Sequence, residues 1–139
     1  MTRVRVVAID GPAGAGKSTV GKALATRLGL QYLDTGAMYR AATLATLRHG
    51  VAVSDHDAVA EIARRLEVTI DDGIVTIDGD DVTREIRGRE VNDAVSAVSA
   101  NPVVRRQLVA RQRQWAVDHD GGVIEGRDIG TVVFPDADL

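Results

Sequence analysis

The chain has 139 residues, enough for one domain with a real core, and 45% of them are hydrophobic, as in ordinary globular proteins. A balance of 17 basic against 20 acidic residues leaves −3, and aromatics are only 3%, which argues against a basic nucleic-acid or membrane-binding field and against base-stacking platforms. Cysteine is absent, excluding disulfide frameworks and thiolate metal sites, and no stretch approaches a membrane span, so the expectation is a soluble cytoplasmic protein.

Val4-Arg5-Val6-Val7-Ala8-Ile9 is a short apolar, β-branched run of the kind that forms a buried parallel strand, and it is too short for a signal-peptide core. Gly11-Pro12-Ala13-Gly14-Ala15-Gly16-Lys17-Ser18 follows and fits the phosphate-loop pattern G-x-x-x-x-G-K-[ST] at every fixed position. Val20, Ala23, Leu24 and Leu28 then recur at helical spacing up to Gly29, a C-terminal stop. Strand, glycine loop and helix are the context that gives the motif its meaning. Backbone N–H groups and the helix dipole would cradle a nucleoside triphosphate, Lys17 would reach the β- and γ-phosphates, and Ser18 would offer its hydroxyl to Mg²⁺.

Gln31-Tyr32-Leu33 reads as a short strand, and Asp34-Thr35-Gly36 caps a helix from about Ala37 to His49, with Met38, Ala41, Ala42 and Ala45 on its apolar face. Arg40 falls in the first turn of that predicted helix, where a cation opposes the dipole, so it reads either as a ligand for an anion or as a solvated surface arginine. Ser54 with Asp57 resembles a capping arrangement ahead of Val59, Ile62, Ala63 and Leu66, a clean amphipathic helix. Two short strands, Val68-Thr69-Ile70 and Ile74-Val75-Thr76-Ile77, flank Asp71-Asp72-Gly73 as an antiparallel hairpin, expected to be a small insertion with its own sheet. The carboxylates at Asp71, Asp72, Asp78, Asp80 and Asp81 lack calcium-loop spacing and read as solvated turn residues.

Val91, Ala94, Val95 and Val98 predict another helix, broken at Asn101-Pro102, and Pro102 suits the first position of a further helix to about Asp118 with Val104, Leu108 and Trp115 inward. Arg105, Arg106, Arg111 and Arg113 read mostly as a solvated face of it, and His49, His56 and His119 as solvent-facing. Val123-Ile124 is a second buried strand, delivering Glu125-Gly126-Arg127-Asp128-Ile129-Gly130-Thr131 to the carboxyl edge, where ligands of open α/β sheets sit. Arg127 beside Asp128 could be a loop ion pair, or Arg127 and Arg40 could clamp an acceptor phosphate, as guanidinium groups do. The fold class expected is therefore α/β, a P-loop NTPase fold with a parallel sheet flanked by helices and the small antiparallel insertion.

Three blocks carry a resemblance to a known family. Ile9-Asp10-Gly11-Pro12-Ala13-Gly14-Ala15-Gly16-Lys17-Ser18-Thr19, Leu33-Asp34-Thr35-Gly36-Ala37-Met38-Tyr39-Arg40 and Glu125-Gly126-Arg127-Asp128-Ile129-Gly130-Thr131-Val132-Val133-Phe134-Pro135 resemble the bacterial cytidylate kinases, in order and at compatible spacing. The resemblance implies transfer of the γ-phosphoryl of ATP to CMP or dCMP with Mg²⁺, within pyrimidine metabolism, by a cytoplasmic enzyme that is a monomer at full length. It implies an ATP site over Gly11, Pro12, Ala13, Gly14, Ala15, Gly16, Lys17, Ser18 and Thr19, with Ser18 on the metal and Lys17, Arg40 and Arg127 as catalytic cations. It implies a CMP site in which Thr35 lies near the pyrimidine, Arg40 and Arg127 hold the phosphate, and Ser96, Arg105 and Asp128 read the cytosine edge. Asp can accept from the exocyclic amine of cytosine, whereas uracil presents a carbonyl there.

On the same comparison the whole of 1–139 is one P-loop kinase domain with a monophosphate-binding insertion at about 62–97. The family continues past Asp138 and Leu139 into a further core strand and an arginine-bearing lid, so the resemblance also implies a chain truncated at its C-terminal side. Two other readings stay open: another small-molecule P-loop kinase, or a catalytically weak nucleotide-binding fragment.

Overall fold

The first apolar run forms strand β1, Arg5–Asp10, in a computed structural model that describes residues 5–11 and 17–138, with the side chains of Lys17 and Ser18 outside the description. In chain order there follow α1 (Lys17–Leu28), β2 (Tyr32–Asp34), α2 (Thr35–Arg48), α3 (His56–Arg65), β3 (Val68–Asp71), β4 (Ile74–Ile77) and β5 (Asp80–Asp81). A short 3₁₀ turn (Glu85–Arg87), α4 (Arg89–Ala100), α5 (Pro102–Asp118), β6 (Gly121–Gly126) and a π-helical turn (Ile129–Val133) complete the order. The chain is α/β, as expected, and divides into two compact units, Met1–Gly36 with Val109–Leu139, and Ala37–Leu108.

The first unit holds a three-stranded parallel sheet in the order β1-β6-β2, with Val7 opposite Val123 and Leu33 opposite Ile124. The central strand β6 is buried from Gly121 through Glu125, which is why it reads as a continuous run rather than an alternation. Helix α1 packs on this sheet, but its inner face differs from the predicted stripe. Val20 is 63% exposed and Ala23 is also exposed, while Gly21 and Ala25 are buried, with Leu24 and Leu28 at their flank. The cause is close approach: a Cβ on Gly21 would lie 2.6 Å from the Tyr32 ring, so the smallest residues, not the largest, face the sheet. Helix α5 contributes Trp115, whose ring closes over Gly122 and stacks on His119 at 4.1 Å between centroids. His119 is therefore half-buried against an aromatic face rather than solvent-facing.

In the second unit, β3 and β4 pair antiparallel through Thr69 opposite Thr76, as the hairpin pattern predicts. Asp72 and Gly73 both have positive φ, 53° and 78°, the geometry of a tight primed turn. A third strand, β5, extends this sheet beyond the predicted two. Asp81 in β5 accepts from the Thr83 N–H at 2.9 Å, and hydrogen bonds from Thr83 hold its carboxyl below the usual range. Helix α3 is capped by Asp55, whose side chain accepts from Ala58 N–H, one residue later than the predicted Ser54 cap. Its buried residues are Val59, Ala60 and Ala63, followed by Leu66. Asn101, 1% exposed, caps α5: its Oδ1 accepts from Val103 and Val104, and its Nδ2 donates to the carbonyl of His56 at 3.0 Å. Among the described residues no helix is long and apolar enough to cross a membrane.

Candidate functional site

Parallel strands β1, β6 and β2 all end at one edge of the first unit, at Asp10, Gly126 and Asp34. Gly11 leaves β1 with its N–H donated to the carbonyl of Gly126 at 3.2 Å, and α1 begins at Lys17. The phosphate-loop residues Pro12, Ala13, Gly14, Ala15 and Gly16 lie outside the described residues, as do the side chains of Lys17 and Ser18. Thr19, the last residue of the predicted ATP stretch, is exposed on the first turn of α1. The described residues on either side of that stretch are thus a strand end and a helix N-terminus, and a helix N-terminus favours anions.

Thr35 opens α2 beside the end of β6. Its hydroxyl, 3% exposed with its residue, donates to the carbonyl of Glu125 at 2.9 Å, while Asp34 Oδ1 accepts from Gly36 N–H at 2.9 Å and caps the helix. A Cβ on Gly126 would lie 2.0 Å from Thr35 Oγ1, so the loop can pass Thr35 only as glycine. Glu125 itself is 6% exposed, and its carboxylate accepts from the hydroxyl of Tyr32. The Lys22 ammonium lies over the Tyr32 ring, 5.9 Å from its centroid.

Arg127 and Asp128 follow at the same edge, both exposed. Asp128 has φ 57° and ψ 29°, left-handed backbone that few residues other than glycine adopt. It starts the π-helical turn, and its carbonyl accepts from Val132 at 2.9 Å and Val133 at 3.2 Å. Single π-turns of this kind recur at functional sites. Two side chains bracket it. The carboxylate of Asp10 accepts from Ile129 N–H at 2.5 Å and Gly130 N–H at 3.0 Å, and the guanidinium of Arg113 donates to the carbonyls of Val133 at 2.8 Å and Val132 at 2.9 Å. An anion thus meets the turn's leading N–H groups and a cation its trailing carbonyls. Arg113 is exposed on α5, as its sequence context suggested, and in addition braces this turn. Asp10 was assigned no task by the sequence; the available signal was a carboxylate at the last position of a buried strand, directly before the glycine loop.

In the second unit α2 begins two residues earlier than predicted, which places Arg40 in its second turn rather than its first. The guanidinium of Arg40 donates to the carbonyl of Ile86 at 3.1 Å and to the side chain of Asn92, so it is positioned by the 3₁₀ turn and α4. Asn92 in turn donates to the carbonyl of Arg87. Ser96 is exposed on α4, and Arg105 is half-buried on α5. Of the predicted acceptor-site residues, the first unit brings Thr35, Arg127 and Asp128 to one strand edge, and the second unit holds Arg40, Ser96 and Arg105 on α2, α4 and α5. A cleft of about 440 Å³ also exists in the first unit, lined by Val6, Arg113, Val117, Phe134 and Asp138; it runs beside β1 and contains none of the predicted site residues. Among the described residues no three imidazole or carboxylate side chains gather as a metal cage.

Known proteins match this chain closely. The family model described as cytidylate kinase covers residues 7–139. A protein named cytidylate kinase from Nocardia farcinica is 57% identical over 137 residues, covering 96% of this chain and 59% of the relative. Proteins of the same name from Rhodococcus opacus and Mycobacterium leprae are 56% identical over 138 residues and 55% identical over 132. They are covered to 60% and 59%, against 96% and 95% of this chain, so the chain spans about three-fifths of the length of these relatives. With β1 and α1 on either side of the glycine motif and Gly126-Arg127-Asp128 at the strand edge, the match identifies the chain as a member of the cytidylate kinase family.

Proposed function

We propose that this chain is the nucleotide-binding part of a nucleoside monophosphate kinase that transfers the γ-phosphoryl of ATP to CMP or dCMP, giving ADP with CDP or dCDP. The family match over 7–139 carries this reading, because it includes both the glycine loop and the Arg127-Asp128 edge. Phosphoryl transfer is chiefly positioning and neutralisation of charge, so its inventory is cations and backbone N–H groups more than a base. In this reading Gly11, Pro12, Ala13, Gly14, Ala15, Gly16, Lys17, Ser18 and Thr19 hold ATP. Mg²⁺ accompanies it, with the Ser18 hydroxyl as one hard oxygen ligand and phosphates and water as the rest, the coordination this ion favours.

The acceptor phosphate is held by Arg40 and Arg127, which with Lys17 neutralise the migrating group. Arg40 supports this role by being held through Ile86 and Asn92, since a guanidinium already oriented loses less freedom on binding. Thr35 lies against the pyrimidine, and Ser96, Arg105 and Asp128 read the cytosine edge. We further propose that the domain is a single P-loop kinase domain whose monophosphate-binding insertion spans about 62–97, and that the protein at full length acts as a cytoplasmic monomer on small-molecule substrates, with no nucleic acid or membrane partner.

The test is a coupled ADP-release assay with ATP and Mg²⁺, together with calorimetric titration of CMP, dCMP and UMP. Turnover or binding that favours the cytidine nucleotides supports the reading. Equal response to UMP, or none to CMP in both measurements, overturns it.

A further inference from the structure

We propose that Asp10 is a positioning residue for the acceptor site: by clasping the Ile129 and Gly130 N–H groups it fixes the backbone that presents Arg127 and Asp128. Three observations converge on this assignment. Both oxygens of the Asp10 carboxylate are used on consecutive N–H groups, at 2.5 and 3.0 Å, across 119 and 120 residues of sequence. Gly130 has no side chain to hold that carboxylate away; a Cβ there would sit 3.1 Å from Asp10 Oδ2. Asp128, immediately before the clasped pair, stands in left-handed backbone at φ 57°. Aspartate tolerates this conformation better than most residues, and here it turns the chain directly into the pair of N–H groups that Asp10 holds.

The clasp also has a consequence for coupling. Asp10 is the last residue of β1 and directly precedes the glycine loop, and Gly11 N–H is bonded to the Gly126 carbonyl. One residue pair therefore ties the base of the phosphate loop to the loop that carries Arg127 and Asp128. The side chain of Asp10 is exposed enough to be changed without opening a core cavity. Arg113, holding the Val132 and Val133 carbonyls, fixes the far end of the same turn, so loss of Asp10 frees the leading end only.

The role rests on the functional reading above, and the experiment separates the two. Asp10→Asn keeps the size but replaces one acceptor by a donor facing an N–H group. CMP and UMP affinities are measured by calorimetry, and exchange of the Ile129 and Gly130 amide protons by NMR. The expected result is faster exchange of both amides and a loss of CMP affinity of about ten- to a hundredfold, with a smaller CMP-over-UMP preference. Faster exchange with an unchanged CMP-over-UMP ratio makes the clasp purely structural and overturns the positioning role. Unchanged exchange overturns the clasp itself. If the parent chain binds no CMP while exchange still responds to Asp10, the functional reading fails, and the positioning role falls with it. Should Asp10→Asn not fold, Asp10→Ser, a short single acceptor, is expected to shift both readouts in the same direction, and an unchanged ratio there overturns the proposal equally.

Discussion

The hydroxyl of Thr35 donates to the main-chain carbonyl of Glu125 at 2.9 Å, joining the first residue of α2 to the last buried residue of β6. Residues 90 apart in sequence thereby share one hydrogen bond at the carboxyl edge of the parallel sheet. Directly beside it, Gly126 passes Thr35 with no room for a methyl group. Helix start, strand end and the Arg127-Asp128 segment are in this way held to one geometry.

That contact makes a stability prediction. Thr35→Ala removes a buried hydrogen bond and should cost about 1–2 kcal/mol. Gly126→Ala forces a methyl group against Thr35 Oγ1 and should cost about 1–3 kcal/mol. Because the second change collides with the group the first removes, the double variant should be destabilised by less than the sum. Urea unfolding of the four proteins measures the cycle; strict additivity would show that the two side chains do not meet.

For the phosphate loop, Lys17→Ala should remove about 2–4 kcal/mol of transition-state stabilisation in ATP use, with little change in folding. Steady-state kinetics with ATP, Mg²⁺ and CMP in a protein of the relatives' full length reads the loss. Kinetics identical to the parent would take the phosphate contact away from Lys17.

Specificity is expected to rest on the Asp128 carboxylate more than on its backbone. Asparagine tolerates left-handed φ nearly as well as aspartate, so Asp128→Asn should leave stability within about 0.5 kcal/mol. Its amide, however, presents a donor as well as an acceptor, and the preference for CMP over UMP should narrow. Calorimetry with both nucleotides decides the matter, and a preserved preference would assign cytosine reading to other groups.

A pH prediction comes from Glu61, where hydrogen bonds from Arg64, with the Arg64 and Arg65 charges and the Arg65 hydrogen bond, lower the carboxyl from 4.5 to about 2. Since its folded-state value is depressed, any stabilisation is present above 4.5 and is lost as pH falls toward about 2. The carboxylate and both arginines are exposed, and solvent screens such pairs. Glu61→Gln should therefore leave the urea midpoint at pH 7 unchanged; a clear downward shift would mean that the α3 pairs matter more than their exposure implies.

Much of this protein was legible in the sequence because its signals are local. The β-branched run of β1, the Asp72-Gly73 turn and Pro102 at the start of α5 each act through the conformational limits of a few neighbouring residues. The hairpin and the burial of Val104, Leu108 and Trp115 followed from periodicity alone. Tertiary structure decided what depends on contact between distant segments. Periodicity chose Val20 and Ala23 for the inner face of α1, but the approach of Tyr32 selected Gly21 and Ala25, because packing rewards fit and not hydrophobicity alone. It moved the start of α2 to Thr35, whose hydroxyl finds an acceptor only once β6 lies beside it. It made the surface charge of Arg113 a bracket on the π-turn as well, and it gave Asp10 its two N–H partners. No pattern at residue 10 encodes those partners, since they belong to the π-helical turn that follows β6, more than a hundred residues later, and reach the carboxylate only because β6 pairs with β1.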